Sequence, residues 1–358
     1  MSKPIGIAMV GAGAWGSKFI PEYLAAQRSG KVRLLKICDS SVAALGALFI
    51  TKETSSVTQE MLTQDIHDVL DDPDIAIVHI ATPNQTHYEL AKIALEKSKN
   101  VLVEKPMAMS SRESYDLVDL AKESGLLVEL SRAIRFNRAL QVASEMLNGE
   151  ELGKPFYIKI QWADPTYVAD KDIIFNLGQT PLDILNLLLG AWPKDVSAVG
   201  KAYRNSRTHN DVAYVSAEYA SGIFAQVELS WLNPRSVREV TIVGSEGSLV
   251  IDCLNQHLVQ HYLDSTYEIP VTPTNTLALQ IEDFADRVVR GDRASDLRGP
   301  RILETLEAAG RSLSEKKLTA PENTKYIEET LENVLKKRLN SRREMNVSQE
   351  VNADNKNR

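Results

Sequence analysis

The chain has 358 residues, 43% of them hydrophobic, with a formal net charge of −7 and a pI near 5.5; that length suggests two domains with ordinary cores, and the acidic balance argues against an electrostatic grip on nucleic acid. Cys38 and Cys253 lie far apart and form no C-x-x-C pair, which argues against a disulfide framework or zinc site and fits a reducing, cytoplasmic compartment. Residues 1–10 lack the charged region and long apolar core of a signal peptide, and the apolar stretch Leu182–Leu189 is broken by Asp183 and Asn186 and too short to span a bilayer, so no membrane partner is expected.

The apolar run Ile5–Val10 reads as a buried strand ending in Gly11-Ala12-Gly13-Ala14-Trp15-Gly16. Phe19, Ile20, Tyr23 and Leu24 follow at helical spacing. In such a strand–loop–helix the first glycine allows a tight turn and the second lets the backbone approach a pyrophosphate. The third lets helix and strand pack closely. A second strand, Val32–Cys38, ends at Asp39, where a carboxylate takes an adenosine ribose 2′-hydroxyl and repels a 2′-phosphate. Ser40 and Ser41 offer no arginine for that phosphate, so NAD is favoured over NADP. The alternative is that Asp39 only caps a helix beginning at Ser40.

The alternation continues. Asp65–Asp72, Tyr88–Lys97 and Arg112–Ser124 read as helices; Ile75–Ala81, Val101–Glu104 and Leu126–Leu130 read as strands. Together they predict a parallel, doubly wound α/β sheet with ligands beyond the carboxyl ends of its strands. Two loops fall there: Thr82-Pro83-Asn84-Gln85-Thr86-His87 and Glu104-Lys105-Pro106. The first is also readable as a plain turn and helix cap.

The glycine loop, the stretch from Ala81 to His87 and Val103-Glu104-Lys105-Pro106 occur in that order. With Arg135-Phe136-Asn137 and Gly149-Glu150-Glu151-Leu152-Gly153 downstream, the chain resembles the glucose–fructose oxidoreductase/inositol dehydrogenase (Gfo/Idh/MocA) family over roughly residues 4–318. The resemblance implies an NAD(P)-binding Rossmann domain over residues 1–130. It implies a substrate and oligomerisation domain with a large, mostly antiparallel open sheet over residues 131–318. An extra helix at 319–340 and a disordered tail at 341–358 complete the expected layout.

The same resemblance implies hydride transfer between nicotinamide and a sugar or cyclitol carbon, the sugar being free or nucleotide-linked. Cofactor contacts are expected from Gly11, Gly13, Ala14, Trp15, Gly16, Asp39, Thr82, Pro83, Asn84, His87, Glu104 and Lys105. Lys105 is the expected acid/base, its pKa lowered by burial and by the positive nicotinamide. Glu104 would bond the nicotinamide ribose, and Lys105–Pro106 would be cis. Homodimers or homotetramers through the second sheet are also implied.

In the second half Phe156–Trp162, Val196–Tyr203, Val212–Tyr219, Ile223–Trp231, Glu239–Gly244, Ser248–Cys253 and His257–Leu263 read as strands joined mostly by short loops, hence mostly antiparallel. One helix, Thr180–Leu189, interrupts them. Relatives carry an aspartate, a histidine and a further aspartate here; alignment on Gly178 and Asp183 puts the first two at Asn176 and Thr180. Neither titrates near neutral pH, so Lys105 would be the sole acid and base, while Asn176 and Thr180, the other catalytic candidates, orient the substrate hydroxyl or relay its proton and join Lys105 and Asp183 in holding substrate. The alternative is a non-catalytic NAD- and sugar-binding regulatory protein. Trp231, Arg235 and Arg238 are candidates for a nucleotide-sugar contact, and equally for a sheet-edge turn. His257 and His261 have no third ligand nearby, so no metal is expected.

Asn275–Arg290 and Pro300–Ser314 read as amphipathic helices, and Ile327, Leu331, Val334, Leu335 and Leu339 recur at helical spacing beyond them.

Overall fold

Apolar runs too short for helices and flanked by glycine or polar turns become buried strands, and amphipathic stretches between them become the covering helices. The structure, a computed structural model, describes residues 4–28, 30–165, 172–204, 209–293 and 296–315. The expected extra helix at 319–340 and tail at 341–358 lie outside the described residues. The first part alternates β1 (Ile5–Val10), α1 (Ile20–Arg28), β2 (Val32–Cys38), α2 (Val42–Ala47), β3 (Leu62–Thr63), α3 (His67–Leu70), β4 (Ile75–Ile80), α4 (His87–Glu96), β5 (Asn100–Val103), α5 (Ser111–Ser124) and β6 (Val128–Leu130). Its strands form one six-stranded sheet in the order β3-β2-β1-β4-β5-β6, parallel throughout. The order reverses between β1 and β4, and a crevice opens there beyond their carboxyl ends.

The second part comprises α6 (Arg138–Asn148), β7 (Pro155–Ala163), α7 (Ile173–Leu177), α8 (Gln179–Leu189), β8 (Asp195–Lys201), β9 (Val212–Glu218), β10 (Phe224–Ser230), β11 (Val237–Gly244), β12 (Ser248–Asp252), β13 (His257–His261), β14 (Thr266–Ile269), α9 (Thr276–Arg290) and α10 (Arg298–Glu315). Its eight strands run β14-β13-β12-β11-β7-β10-β9-β8, antiparallel except for the β7–β10 pair. Period-two alternation sets which face is buried. Ala213, Val215 and Ala217 of β9 face inward with Ala225, Val227 and Leu229 of β10, while Phe224 and Tyr214 stand 42% and 41% exposed on the open face.

The last two helices bind the sheets together. Ile281, Phe284 and Ala285 of α9 join the core of the parallel sheet beside Phe19 and Tyr23. Glu307 of α10 accepts from the backbone N and Oγ of Ser111, at 2.7 and 2.6 Å, at the start of α5. Both sheets fall within one compact unit. Among the described residues no helix is long and apolar enough to cross a membrane.

Four elements are not read from the apolar pattern. The helix α2 enters only through the alternative that Asp39 caps a helix beginning at Ser40; Val42 is exposed and the segment has only Leu45 buried, so no apolar period announces it. The two-residue β3, the edge strand β14 and the five-residue α7 are likewise too short, or too exposed, to carry a period.

Candidate active site

The glycine loop leaves β1 with Gly11 at φ +98, a conformation that only glycine adopts without strain. A Cβ on Gly11 would sit 2.5 Å from Ala81 O, so β1 and β4 can approach only with a glycine there. A Cβ on Gly16 would sit 2.0 Å from Gly11 O, which fixes that glycine by packing alone. Gly13 differs: a Cβ there meets nothing within 4 Å. It borders a cavity of about 720 Å³ also lined by Gly11, Ala14, Asp39, Thr82 and Pro83. Protein packing does not require a glycine at that position, and the bare backbone there leaves room for a ligand. These residues fit a dinucleotide: a bare loop for phosphates and a carboxylate for a ribose.

Asp39 is tied to the loop. Its Oδ2 accepts from Ala12 N at 2.7 Å and its Oδ1 from Ser41 N at 2.8 Å. The cap of α2 is Ser41, whose side chain accepts from Ala44 N, so Asp39 does not cap that helix. No lysine or arginine lines the cavity among the described residues, and a 2′-phosphate would find no cation.

The loop after β4 is braced by Thr86, whose hydroxyl bonds Thr82 Oγ1 and Pro83 O at 2.7 Å each. Thr82 and Pro83 line the cavity; Asn84 and Gly16 are not among its lining residues. His87 also falls outside it. The imidazole is 1% exposed behind the loop, between Pro106 O and Thr82 O, so a direct cofactor contact is corrected to a buried one.

Trp15 lines this cavity and a second one of about 310 Å³. Glu104 and Lys105 line the second cavity beside Trp15, with Lys105–Pro106 in the cis form. Glu104 is buried. It accepts from Ser131 Oγ, from Lys105 N at 3.3 Å and from the Trp15 side chain. Burial raises its carboxyl above the usual carboxylate range, against the opposite pull of Lys105 and Ser131. The Lys105 side chain is exposed, with Nζ 5.8 Å from the centre of the Trp15 ring.

The far wall of the second cavity carries Asn176, Thr180 and Asp183. Asp183 is 3% exposed and its Oδ1 accepts from Arg135 Nε at 2.6 Å. Burial raises its carboxyl, and Arg135 pulls it back. Arg135 further donates to Asp183 O and Asn186 Oδ1, so this acid helps fix α8 as well as facing the cavity.

Sequence reasoning missed Trp162, Asp164 and Arg132 as lining residues. Arg238 is opposite Trp162 in the β7–β11 register, stacks 4.6 Å from its ring centre, and donates to Asp164 Oδ2 at 2.6 Å. Cross-strand register would have revealed this pair, but it cannot be read from one strand alone. Of the two other residues suggested for a nucleotide contact, Trp231 is 1% exposed in the core and Arg235 lies on the exposed turn away from the cavity. His257 pairs with Glu268 at 2.8 Å and His261 with Thr266 at 3.0 Å. No group of residues that could hold a metal occurs among the described residues. His79 is buried in the core, its Nδ1 2.8 Å from the Tyr23 hydroxyl.

Residues 5–131 match the model of the oxidoreductase family with an NAD-binding Rossmann fold, and residues 140–250 match the Gfo/Idh/MocA C-terminal domain. The chain is 32% identical over 250 residues to scyllo-inositol 2-dehydrogenase (NAD(+)) of Bacillus subtilis, covering 65% of this chain and 73% of the relative. Its fold matches UDP-N-acetylglucosamine 3-dehydrogenase of Acidithiobacillus ferrooxidans with TM-score 0.75 at 23% identity, over 87% of this chain and 98% of that one. It also matches aldose–aldose oxidoreductase of Caulobacter crescentus with TM-score 0.78 at 19% identity, over 88% and 99%. At those identities the two structural likenesses are of fold.

Proposed function

Since the chain belongs to the Gfo/Idh/MocA family of NAD-binding oxidoreductases, we propose that it transfers hydride between NAD and a carbinol carbon of a sugar or cyclitol, with Lys105 handling the hydroxyl proton. The observation that carries this reading is that Lys105 lines the second cavity with its Nζ 5.8 Å from the ring of Trp15, the residue that lines both cavities. NAD supplies the hydride acceptor when bound. Gly13 and the backbone around it would hold its phosphates, Asp39 a ribose, and Glu104 the ribose nearer Lys105. As a free amine, Lys105 takes the hydroxyl proton while hydride leaves the same carbon, and the product is a carbonyl; as an ammonium it returns that proton in reduction.

Asn176 and Thr180 donate and accept hydrogen bonds without titrating, so they would orient the hydroxyl rather than share its proton. Trp162 with the Arg238–Asp164 pair offers a rigid polar rim. A cavity of about 310 Å³ suits a monosaccharide-sized polyol better than the whole of a nucleotide sugar. Residues 4–130 would then hold the cofactor and 131–315 the substrate. The open face around Phe224 and Tyr214 would serve a homodimer or homotetramer, readable by light scattering.

A competing reading, favoured by the neutral Asn176 and Thr180, is an NAD- and sugar-binding regulatory protein without turnover. A cofactor-fluorescence screen of inositols, aldoses and nucleotide sugars in both redox directions separates the two. Turnover of any of them at an enzymatic rate removes the regulatory reading; saturable NAD binding with no turnover across the panel removes the enzymatic one.

A further inference from the structure

His87 is the first residue of α4 and is 1% exposed. Its Nδ1 lies 2.6 Å from Pro106 O and its Nε2 2.8 Å from Thr82 O. Both partners are main-chain carbonyls, which only accept hydrogen bonds. An imidazole with a single N–H would leave the other nitrogen's lone pair facing an oxygen, away from water. Turning the ring over gives no relief, because ring carbons would then sit at those distances, well inside the roughly 3.3–3.6 Å of a C–H···O contact.

We propose that His87 is a positioning residue that latches the two loops bordering the cofactor and substrate cavities, with a hydrogen on each ring nitrogen at once. Thr82 lines the cofactor cavity, and Pro106 directly follows Lys105. The latch therefore sets the distance between the cofactor-side loop and the loop that carries the lysine. A cation at the first turn of a helix opposes the helix dipole. Two charge-assisted bonds to carbonyls offset that cost. The titratable groups on the elements it joins are His79 of β4, Glu104 and Lys105 of the second loop, and Tyr88, Glu89, Lys92 and Glu96 of α4 itself. His79 is held neutral by burial and by the charge on His87, so the core supplies no second cation against it.

The loop-positioning role rests on the cofactor reading above, whereas the hydrogens on the ring do not. Long-range ¹⁵N–¹H NMR of the full chain at neutral pH reads them directly, the His87 signal being identified among the six histidines by its loss in His87→Phe. Two hydrogen-bearing nitrogens are expected; a single one overturns the latch. Calorimetric titration with NAD⁺ then compares wild type, His87→Phe and His87→Gln. With the fold intact by circular dichroism, His87→Phe should weaken NAD⁺ at least fivefold, and His87→Gln, which still donates to one carbonyl, should recover part of the loss. Wild-type affinity in folded His87→Phe overturns the positioning role. If that variant does not fold, the NMR result and His87→Gln decide. Absence of NAD⁺ binding by the wild type refutes the cofactor reading and the positioning role, and the NMR result still judges the latch.

Discussion

Arg135 Nε donates to Asp183 Oδ1 at 2.6 Å, with the carboxylate buried on α8 and the guanidinium largely covered. This pair occupies the acid that α8 contributes to the far wall of the second cavity. Removing the acid alone, in Asp183→Ala, leaves a buried guanidinium uncompensated, a change that costs about 3–5 kcal/mol where such pairs are broken. Asp183→Asn, which can still accept from Arg135, should cost less. Urea midpoints of the two variants check this; equal stabilities would mean that the pair does not hold α8.

Gly13→Ala and Gly16→Ala should part company. The first adds a methyl group to the cofactor cavity without touching protein, so its thermal midpoint should match wild type while NAD affinity falls. The second meets Gly11 O at 2.0 Å and should lose stability. Thermal melts with NAD titrations distinguish them, and an unaltered NAD affinity in Gly13→Ala would mean that the phosphates do not lie there.

Asp39→Asn keeps acceptor capacity for Ala12 N or Ser41 N but loses the charge. NAD affinity should weaken by about tenfold, or about 1.4 kcal/mol, and the preference for NAD over NADP should narrow as repulsion of a 2′-phosphate is lost. Fluorescence titration with both cofactors measures this, and an unchanged ratio would remove Asp39 from cofactor choice.

Stability should also fall on mild acidification. Burial, then the charge on His87, lowers the pKa of His79 from 6.5 to about 3. Between those values the unfolded chain binds the proton that the folded protein refuses, so stability declines as pH drops below 6.5 and is unaffected by this group above it. At pH 5 the loss is about 2 kcal/mol, from 1.36 kcal/mol per pKa unit. His79→Leu removes this contribution, although it leaves the Tyr23 hydroxyl without its partner. The drop in urea-derived stability between pH 7 and pH 5 should therefore shrink in the variant; an equal drop would locate the effect elsewhere.

The parallel sheet was legible because β1, β2, β4 and β5 are apolar runs punctuated by glycine, proline and acid. The glycine loop, Asp39 and the Glu104-Lys105-Pro106 loop followed from their places at strand ends. The second cavity was only half legible. Asn176, Thr180 and Asp183 lie within eight residues on the consecutive helices α7 and α8, but Trp162, Asp164 and Arg238 meet through the pairing of β7 with β11, strands about 75 residues apart, which no local spacing encodes. Exposure of Lys105 and burial of His87 also escaped the sequence. Both depend on how two loops lie against each other, and their residue types are compatible with either environment.

In the proposed reaction Lys105 moves the proton. Lys105→Met keeps much of the side chain's length without its amine, and should bind NAD with wild-type affinity. On whichever sugar or cyclitol the wild type oxidises, its kcat should fall by roughly 10²–10⁴-fold, the usual contribution of a positioned acid or base. An undiminished kcat in Lys105→Met, with NAD binding intact, would contradict the account.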